Sequence, residues 1–266
     1  MFLINRCRNF TLSGVLLLMT YTAVMAQDSI TVTKNDTWAD STLINVQKNR
    51  LGYKKLLVPA AFIGYGVASL GFKDIKQLNF STKNEIDEHK PDHIKLDNYT
   101  QYVPALLVYG LNGIGIKGKH GFADRSFIYA TSQLISAGFV VPLKRLVKEE
   151  RPDGSNRQSF PSGHTATAFS TAHFMFKEYK DDHFWLGLSG YSFAVFTGVY
   201  RTLNDKHWVG DVAAGAGIGI LSTELAYWLY PKINSLFKRK KEQSSTMVMP
   251  FYQNKAVGLS FVRNFR

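Results

Sequence analysis

Residues 144–211 contain three polar motifs within an otherwise apolar part of the chain: KRLVKEERP at 144–152, PSGH at 161–164 and RTLNDKHWVGD at 201–211. Each motif lies beside an apolar window of helical length, so each is predicted at the end or the beginning of a helix. Pro152 closes the first motif and is typical of a helix end. Because helix ends and helix beginnings alternate through this segment, we expect all three motifs on one side of a helical bundle.

Apolar windows recur before, between and after the motifs, and they predict an all-α fold with a six-helix bundle. The windows contain 12 to 19 residues each. Crossing a membrane takes about 20 apolar residues, and the mean hydropathy is −0.12. A membrane-embedded bundle is expected, while a soluble bundle remains open. The windows are Leu56 to Phe72, Asn98 to Ile116, Phe127 to Leu143, Thr165 to Phe176, Phe184 to Tyr200 and Val212 to Tyr230.

The chain ends differ in character from this central region. Arg6 and Arg8 precede an apolar stretch that finishes at small residues near Ala26, which is the pattern of a secretory signal peptide. An uncleaved first transmembrane helix is the alternative, and both place the protein in a bacterial-type cell envelope. We divide the chain into a signal peptide (1–26), a polar N-terminal segment (27–55), a helical domain (56–237) and a basic, strand-like tail (238–266).

Three further patterns concern local structure. Residues Lys73 to Asp97 are rich in Lys, Asp and Glu and are predicted to form a polar connector. Residues Val257 to Phe265 alternate apolar and small side chains, which predicts a short extended segment. The glycines of Gly215-Ala-Gly217-Ile-Gly219 follow no predicted strand, so close helix packing is favoured over a nucleotide-binding loop.

Charge and cysteine content narrow the classes of function. The chain of 266 residues carries a formal net charge of +12, of which Arg6 and Arg8 supply two, so the excess belongs to the body of the protein. Such a field favours anionic partners. The single cysteine, Cys7, lies in the predicted signal peptide, which excludes a disulfide framework, a cysteine nucleophile and a thiolate metal site from the remaining chain.

The first two motifs suit the binding of an anion. Lys144 and Arg151 are seven residues apart, two helical turns, so both cations are expected on one face. Ser162 and Gly163 lie at a predicted helix N-terminus, where free backbone N–H groups bind anions, with His164 at the edge. A basic helix end and a simple serine N-cap are the alternative readings.

The third motif has the pattern of an activated nucleophile. His207 and Asp211 are four residues apart, so the carboxylate can orient the imidazole from one turn away. Arg201 adds a third cation at the end of the fifth window. A plain surface pair is the alternative for the histidine and aspartate taken alone.

In order and internal spacing, the three motifs together resemble the signature of the type 2 phosphatidic acid phosphatase superfamily, which includes vanadium-dependent haloperoxidases and bacterial acid phosphatases. One position departs, since Tyr200 stands where the family usually has serine before the arginine. The resemblance implies a helical phosphatase that needs no metal and no other cofactor. Nothing in the sequence suggests halide chemistry.

The resemblance also implies a role for each motif residue. His207 would attack phosphorus to form a phosphohistidine, Asp211 would stabilise the imidazolium, and His164 would protonate the leaving oxygen and later activate water. The phosphate-binding residues would be Lys144, Arg151, Ser162, Gly163 and Arg201.

The function so implied is the hydrolysis of phosphomonoester or pyrophosphate groups of envelope lipids. The expected partners are a phosphorylated lipid substrate and a membrane, with no nucleic acid and no protein partner, and the active site is expected to face the periplasm. Two alternatives remain: a soluble periplasmic acid phosphatase acting on small phosphoesters, and a non-catalytic envelope protein that binds anionic lipid. The sequence leaves open which lipid is used: lipid A, polyprenyl pyrophosphate, phosphatidylglycerol phosphate or phosphatidic acid.

Overall fold

The computed structural model describes the backbone of residues 51–89, 95–242, 246–253 and 256–263, and the side chains of 51–89 and 95–235. The predicted signal peptide and most of the predicted polar N-terminal segment lie outside the described residues. The helices of the described part are α1 (Tyr53–Gly71), α2 (Lys73–His89), α3 (Asp97–Thr100), α4 (Val103–Gly113), α5 (Phe122–Val147), α6 (Gly163–Tyr179), α7 (Phe184–Leu203) and α8 (Val209–Glu242). Two strands follow, β1 (Thr246–Gln253) and β2 (Ala256–Arg263).

Each of the six apolar windows corresponds to a helix, so the prediction of a helical bundle is confirmed. The windows become α1, α4, α5, α6, α7 and α8. The second window is shared between the single turn of α3 and the longer α4. Because the two helices are separate, the polar residues Asp97 and Asn98 lie in the short α3 and not in α4.

The predicted polar connector is largely helical, which corrects the expectation for residues 73–97. Helix α2 covers Lys73–His89 and meets α1 at an angle of 89°. An i, i+4 ion pair between Lys83 and Asp87, at 2.8 Å, supports its exposed face. Only Asn79 and Ile86 of this helix are buried, so the apolar periodicity that would have predicted the helix is weak.

The C-terminal region differs from the prediction in two respects. Helix α8 continues through the basic residues 238–241, where the tail was expected to begin. Beyond it, β2 confirms the predicted extended segment over the residues that the structure describes, and β1 pairs with it antiparallel, Thr246 opposite Arg263 and Gln253 opposite Ala256. The two strands therefore form a hairpin of which the sequence pattern had indicated one half.

Helix α8 packs against two neighbours at backbone distance. A Cβ atom on Gly215 would lie 2.5 Å from the carbonyl oxygen of Ser162, at the start of α6, and a Cβ atom on Gly217 would lie 2.6 Å from that of Pro59 in α1. Neither distance is compatible with a side chain. The prediction that these glycines serve close helix packing is therefore confirmed.

Helix α6 forms the centre of the bundle and contacts α4, α5, α7 and α8. Its alanines and large apolar side chains fill two of the buried clusters, one around Phe169 and one around Phe174. Because the central helix begins at the PSGH motif, the ends of its neighbours are held around that motif.

Two helices of the described chain are long and apolar enough to cross a membrane. They are α5 and the Val209–Ser235 part of α8, and the bent pair α1–α2 would be a third if it formed one broken span. Helix α5 buries a single stripe of side chains that includes Ile128, Ser132, Ser136 and Val140. Leu134 and Leu146, by contrast, are 74% and 77% exposed, as expected of a helix that faces lipid.

Candidate active site

Four helix ends meet at one end of the bundle, and they carry all three motifs. Lys144 lies in the last turn of α5, Arg201 in the last turn of α7, and Asp211 in the first turn of α8. The PSGH motif begins α6, and Arg151 lies in the loop between α5 and α6. The structure thus brings together every residue that the sequence predicted for the site: Lys144, Arg151, Ser162, Gly163, His164, Arg201, His207 and Asp211.

His207 occupies the buried centre of this group. Its side chain is 1% exposed, and its Nδ1 lies 3.5 Å from Asp211 Oδ2. Burial lowers the pKa of His207 to about 4, although the Asp211 carboxylate opposes the shift. The imidazole is therefore neutral at neutral pH and has an unprotonated nitrogen, as a nucleophile requires.

Hydrogen bonds from Ser159 and from the start of α8 fix the Asp211 carboxylate. Oδ2 accepts hydrogen bonds from Ser159 Oγ at 2.5 Å and from the backbone N–H of Trp208 at 2.9 Å. The second of these is the reciprocal half of a capping box, in which a carboxylate in the first turn satisfies the N-cap backbone. The main-chain oxygen of Asp211 accepts from the Ser162 N–H at 3.0 Å, which ties α8 to the PSGH turn.

The three cations differ in how far their N–H groups are paired within the protein. Lys144 Nζ donates to the carbonyl oxygens of Gln158 and Ser159, at 2.6 and 3.3 Å. The Nε groups of Arg151 and Arg201 are buried and find no acceptor within the described part of the chain. Burying such donors unpaired is costly, so the arrangement suits an anion that accepts from both guanidinium groups.

The PSGH turn shows the capping role that the sequence left open. Ser162 is the N-cap of α6: its Oγ accepts from the Thr165 N–H at 3.4 Å and also pairs with Thr165 Oγ1 at 2.8 Å. Gly163 follows, and a Cβ atom there would lie 3.9 Å from Lys144 Cε. The start of α6 therefore lies beside the lysine, at an ordinary van der Waals distance. Phosphate contacts from Ser162 and Gly163 remain predictions.

Two residues of α3 complete the site, and neither was predicted from the sequence. Asn98 Oδ1 lies 3.0 Å from His164 Nε2, and Asp97 Oδ2 accepts from Arg201 Nη1 at 2.9 Å. Both come from a segment outside the three motifs. A turn of four residues carries no periodicity, so only its tertiary position reveals the contacts. Ser159, which donates to Asp211, was missed for the same reason.

Residues 125–235 match the family model described as the PAP2 superfamily. The chain contains a PAP2 superfamily domain. The match covers all three motifs and confirms the resemblance on which the site was predicted. It begins within α5 and ends within α8, so α1 to α4 lie outside it.

Two curated relatives of the PAP2 domain are similar over different lengths. The lipid A 1-phosphatase of Porphyromonas gingivalis is 33% identical over 210 residues, which is 77% of this chain and 45% of the relative. The bacitracin transport permease protein BcrC of Bacillus licheniformis is 40% identical over 77 residues, 29% of this chain and 36% of the relative. The matched part of the chain thus spans less than half the length of either relative.

The fold of the PAP2 domain is also found in a solved structure. The first transmembrane PAP2 type phosphatidylglycerolphosphate phosphatase from Bacillus subtilis superposes with a TM-score of 0.50 at 18% identity. The likeness covers 68% of this chain and 98% of that chain. At this level of identity the comparison shows a shared helical fold.

Proposed function

We propose that the protein is a metal-independent phosphatase that removes phosphomonoester or pyrophosphate groups from envelope lipids through a phosphohistidine. The observation that carries the proposal is the burial of His207, whose Nδ1 lies 3.5 Å from Asp211 Oδ2, close to the cations Lys144 and Arg201. Simple anion binding needs the cations but not a neutral histidine oriented by a carboxylate. The proposal therefore favours catalysis over a non-catalytic lipid-binding role.

In the first step, His207 attacks phosphorus through Nε2, because Nδ1 faces Asp211. A nitrogen–phosphorus bond forms while the bond from phosphorus to the leaving oxygen breaks, and the electron pair goes to that oxygen. Burial and the nearby Arg201 lower the pKa of His164 to about 4 in the free protein. An anionic phosphate group beside His164 would offset the nearby cations, so His164 takes up a proton with the substrate and supplies it to the leaving group. Asp211 stabilises the positive charge on His207. Asn98 holds the ring of His164 in place during the transfer.

In the second step, water attacks the phosphohistidine, with His164 as the base, and inorganic phosphate is released. Negative charge spreads over the phosphoryl oxygens in both transition states. Lys144, Arg151 and Arg201 would neutralise it from fixed positions, which is the contribution that a metal ion makes in other phosphoryl-transfer sites.

Lipid A with a 1-phosphate group is the first substrate to test. The P. gingivalis relative bears the name lipid A 1-phosphatase and is 33% identical over 77% of this chain. The exposed apolar side chains of α5 support a membrane position, with acyl chains outside the bundle and the headgroup at the site. The basic residues 238–241 lie at the far end of α8 from Asp211. The positive-inside tendency would put them in the cytoplasm, so the site would face the periplasm.

The test is phosphate release by the purified full-length chain in detergent micelles, with and without EDTA. The panel contains lipid A, a polyprenyl pyrophosphate, phosphatidylglycerol phosphate, phosphatidic acid and p-nitrophenyl phosphate. We expect turnover of at least one lipid that EDTA does not abolish. Hydrolysis of p-nitrophenyl phosphate alone would favour a small-molecule phosphatase, and binding without any hydrolysis would favour a lipid-binding protein.

A further inference from the structure

The carboxyl groups of Glu149 and Asp211 lie close together, and Asp211 also faces the proposed nucleophile, His207. Glu149 lies in the loop between α5 and α6, and its carboxyl group is within hydrogen-bonding reach of Asp211. Glu149 Oε2 and Asp211 Oδ1 are both shielded from solvent, and neither has a donor among the residues with described side chains. Two buried acceptors therefore face each other without a hydrogen to share, unless one carboxyl group is protonated.

The surroundings determine which of the two groups holds the proton. Asp211 accepts from Ser159 Oγ and from the Trp208 N–H, and hydrogen bonds of this kind stabilise an ionised carboxylate. Burial raises the pKa of Glu149, and the charge of Asp211 raises it further. Two ionised carboxylates in contact would repel each other strongly. The proton therefore belongs to Glu149.

We propose that Glu149 is a positioning residue that stays protonated at neutral pH and donates a hydrogen bond to Asp211 Oδ1. This bond holds the Asp211 carboxylate in the plane in which Oδ2 faces His207 Nδ1. The proposal rests on the proposed phosphatase function, because it assigns Glu149 an effect on the nucleophile of that reaction.

The backbone supports the same arrangement. The main-chain oxygen of Glu149 accepts from the Ser159 N–H at 2.9 Å, and Ser159 in turn donates its hydroxyl to Asp211. Glu149 thus reaches Asp211 by two routes, directly through its carboxyl group and through the position of Ser159. Only the direct route depends on the side chain of residue 149.

The charged groups that face Glu149 come from three elements. Asp211 approaches from α8, Lys76 approaches from α2 and favours the ionised form, and Glu150 is its neighbour in the loop. A cavity of about 200 Å³ lies beside the group and gives the proton a route to solvent. It is lined by Lys76, Asn79, Phe80, Glu149, Glu150 and Trp208.

A pH-dependent consequence follows. When Glu149 loses its proton at alkaline pH, it becomes an anion against Asp211 and can no longer donate to it. Asp211 then moves away or loses its alignment with His207, and turnover falls. Loss of the Glu149 proton should therefore add its own step to the alkaline fall in kcat, beside the fall expected when the general acid His164 loses its proton. The Glu149 step should be absent when residue 149 cannot ionise.

The experiment compares kcat and KM from pH 6 to pH 10 in four proteins: wild type, Glu149→Gln, Glu149→Ala and Glu150→Gln. Glutamine keeps a donor for Asp211 and cannot ionise, so it should retain most of the activity lost in Glu149→Ala and lack the part of the alkaline fall that Glu149 causes. The alanine variant should lose about tenfold in kcat with little change in KM, the effect of one buried hydrogen bond. Glu150→Gln makes the same substitution on a neighbouring side chain that is 61% exposed and should keep the wild-type profile.

A second measurement does not depend on turnover. The carbonyl band of a protonated carboxylic acid in the infrared spectrum should be present at neutral pH in the wild type and in Glu150→Gln, and absent in Glu149→Gln. Persistence of the band in Glu149→Gln, or the wild-type alkaline fall in that variant, would overturn the assignment of Glu149. A wild type that shows the band but hydrolyses none of the panel would overturn the proposed function while leaving the shared proton in place.

Discussion

Arg201 Nη1 donates to Asp97 Oδ2 at 2.9 Å, and the two side chains are only 8% and 1% exposed. The pair joins the end of α7 to the single turn of α3, across 104 positions of the sequence. Its position beside the other two cations means that Asp97 both neutralises Arg201 and sets the direction of its guanidinium group. Asp97 therefore belongs to the site although it lies in none of the three motifs.

Asp97→Ala should lower both stability and activity. The substitution leaves Arg201 buried without its counter-ion, for which the expected loss is about 3–5 kcal/mol in the free energy of unfolding. Asp97→Asn keeps an acceptor for Nη1 and should lose less. Thermal unfolding in detergent and kcat/KM check the prediction, and an alanine variant as stable and active as the wild type would contradict it.

His207→Ala should abolish turnover and phosphoenzyme formation together, whatever the leaving group, because it removes the attacking nitrogen. Rapid-quench trapping with a labelled substrate measures the acid-labile, base-stable phosphoenzyme directly. A normal rate of phosphoenzyme formation in this variant would remove the proposed role of His207.

His164→Ala should behave differently. It should lose roughly 10²- to 10⁴-fold on alkyl phosphates, the range expected for a general acid. An activated aryl phosphate leaves without a proton, so phosphohistidine should still form and should break down slowly. The same quench experiment tests this, and equal losses on both substrates would exclude a role in leaving-group protonation.

The acid limb of kcat/KM should lie well below the ordinary histidine range. Burial lowers the pKa of His207 to about 4 in the folded protein, so the nucleophile should remain neutral and reactive at pH 5 to 6. The pH profile of kcat/KM for the wild type, corrected for ionisation of the substrate phosphate, measures this value. A limb near pH 6.5 would show that His207 is not shielded from solvent in solution.

The same shift makes a prediction about stability. The folded pKa lies below the unfolded value of about 6.5, so the unfolded state binds more protons between the two values. The contribution of His207 to the free energy of unfolding should therefore be complete above about pH 6.5 and should be lost as the pH falls towards 4. The unfolding midpoint of the wild type should fall relative to that of His207→Gln as the pH drops through this range; parallel curves would contradict the prediction.

Gly215→Ala should damage the site through the packing of helices. The added Cβ atom would meet the carbonyl oxygen of Ser162 at 2.5 Å, which pushes α8 away from the PSGH turn and strains the hydrogen bond from Ser162 to Asp211. A loss of about 1–3 kcal/mol in stability is expected from overpacking, with a larger relative loss of kcat. Gly64→Ala is the matched control, since nothing lies within 4 Å of a Cβ atom there, and it should be neutral or stabilising.

The sequence was sufficient for those parts of the site that depend on local spacing. Lys144 and Arg201 lie at helix ends, Ser162 caps α6, and His207 lies near Asp211, because each relationship is fixed by a helix boundary or by one helical turn. Contacts between distant segments left no such pattern. Asn98 reaches His164 across 66 positions, and Ser159 reaches Asp211 across 52, so neither could be predicted without the fold.

The fold, like the site, was predictable where a local pattern exists and not where contacts between distant segments decide the structure. The six apolar windows predicted six helices because their side chains are buried or face lipid. Helix α2 was missed because it buries only Asn79 and Ile86 within a polar sequence. Its stability depends on contacts with α1 and α8, which a local pattern does not contain.

The single buried stripe of α5 separates the side of the helix that packs in the bundle from the side that faces outward. This helix gives the site one side chain, Lys144, and turns most of its surface outward, whereas α8 is confined by its glycines between α1 and α6 and carries the proposed catalytic carboxylate. Outward-facing residues of α5 can be exchanged without moving the reacting groups. Exchange of outward-facing α5 residues for other apolar residues should therefore alter the fit of the bundle to its surroundings and leave the proposed chemistry unchanged.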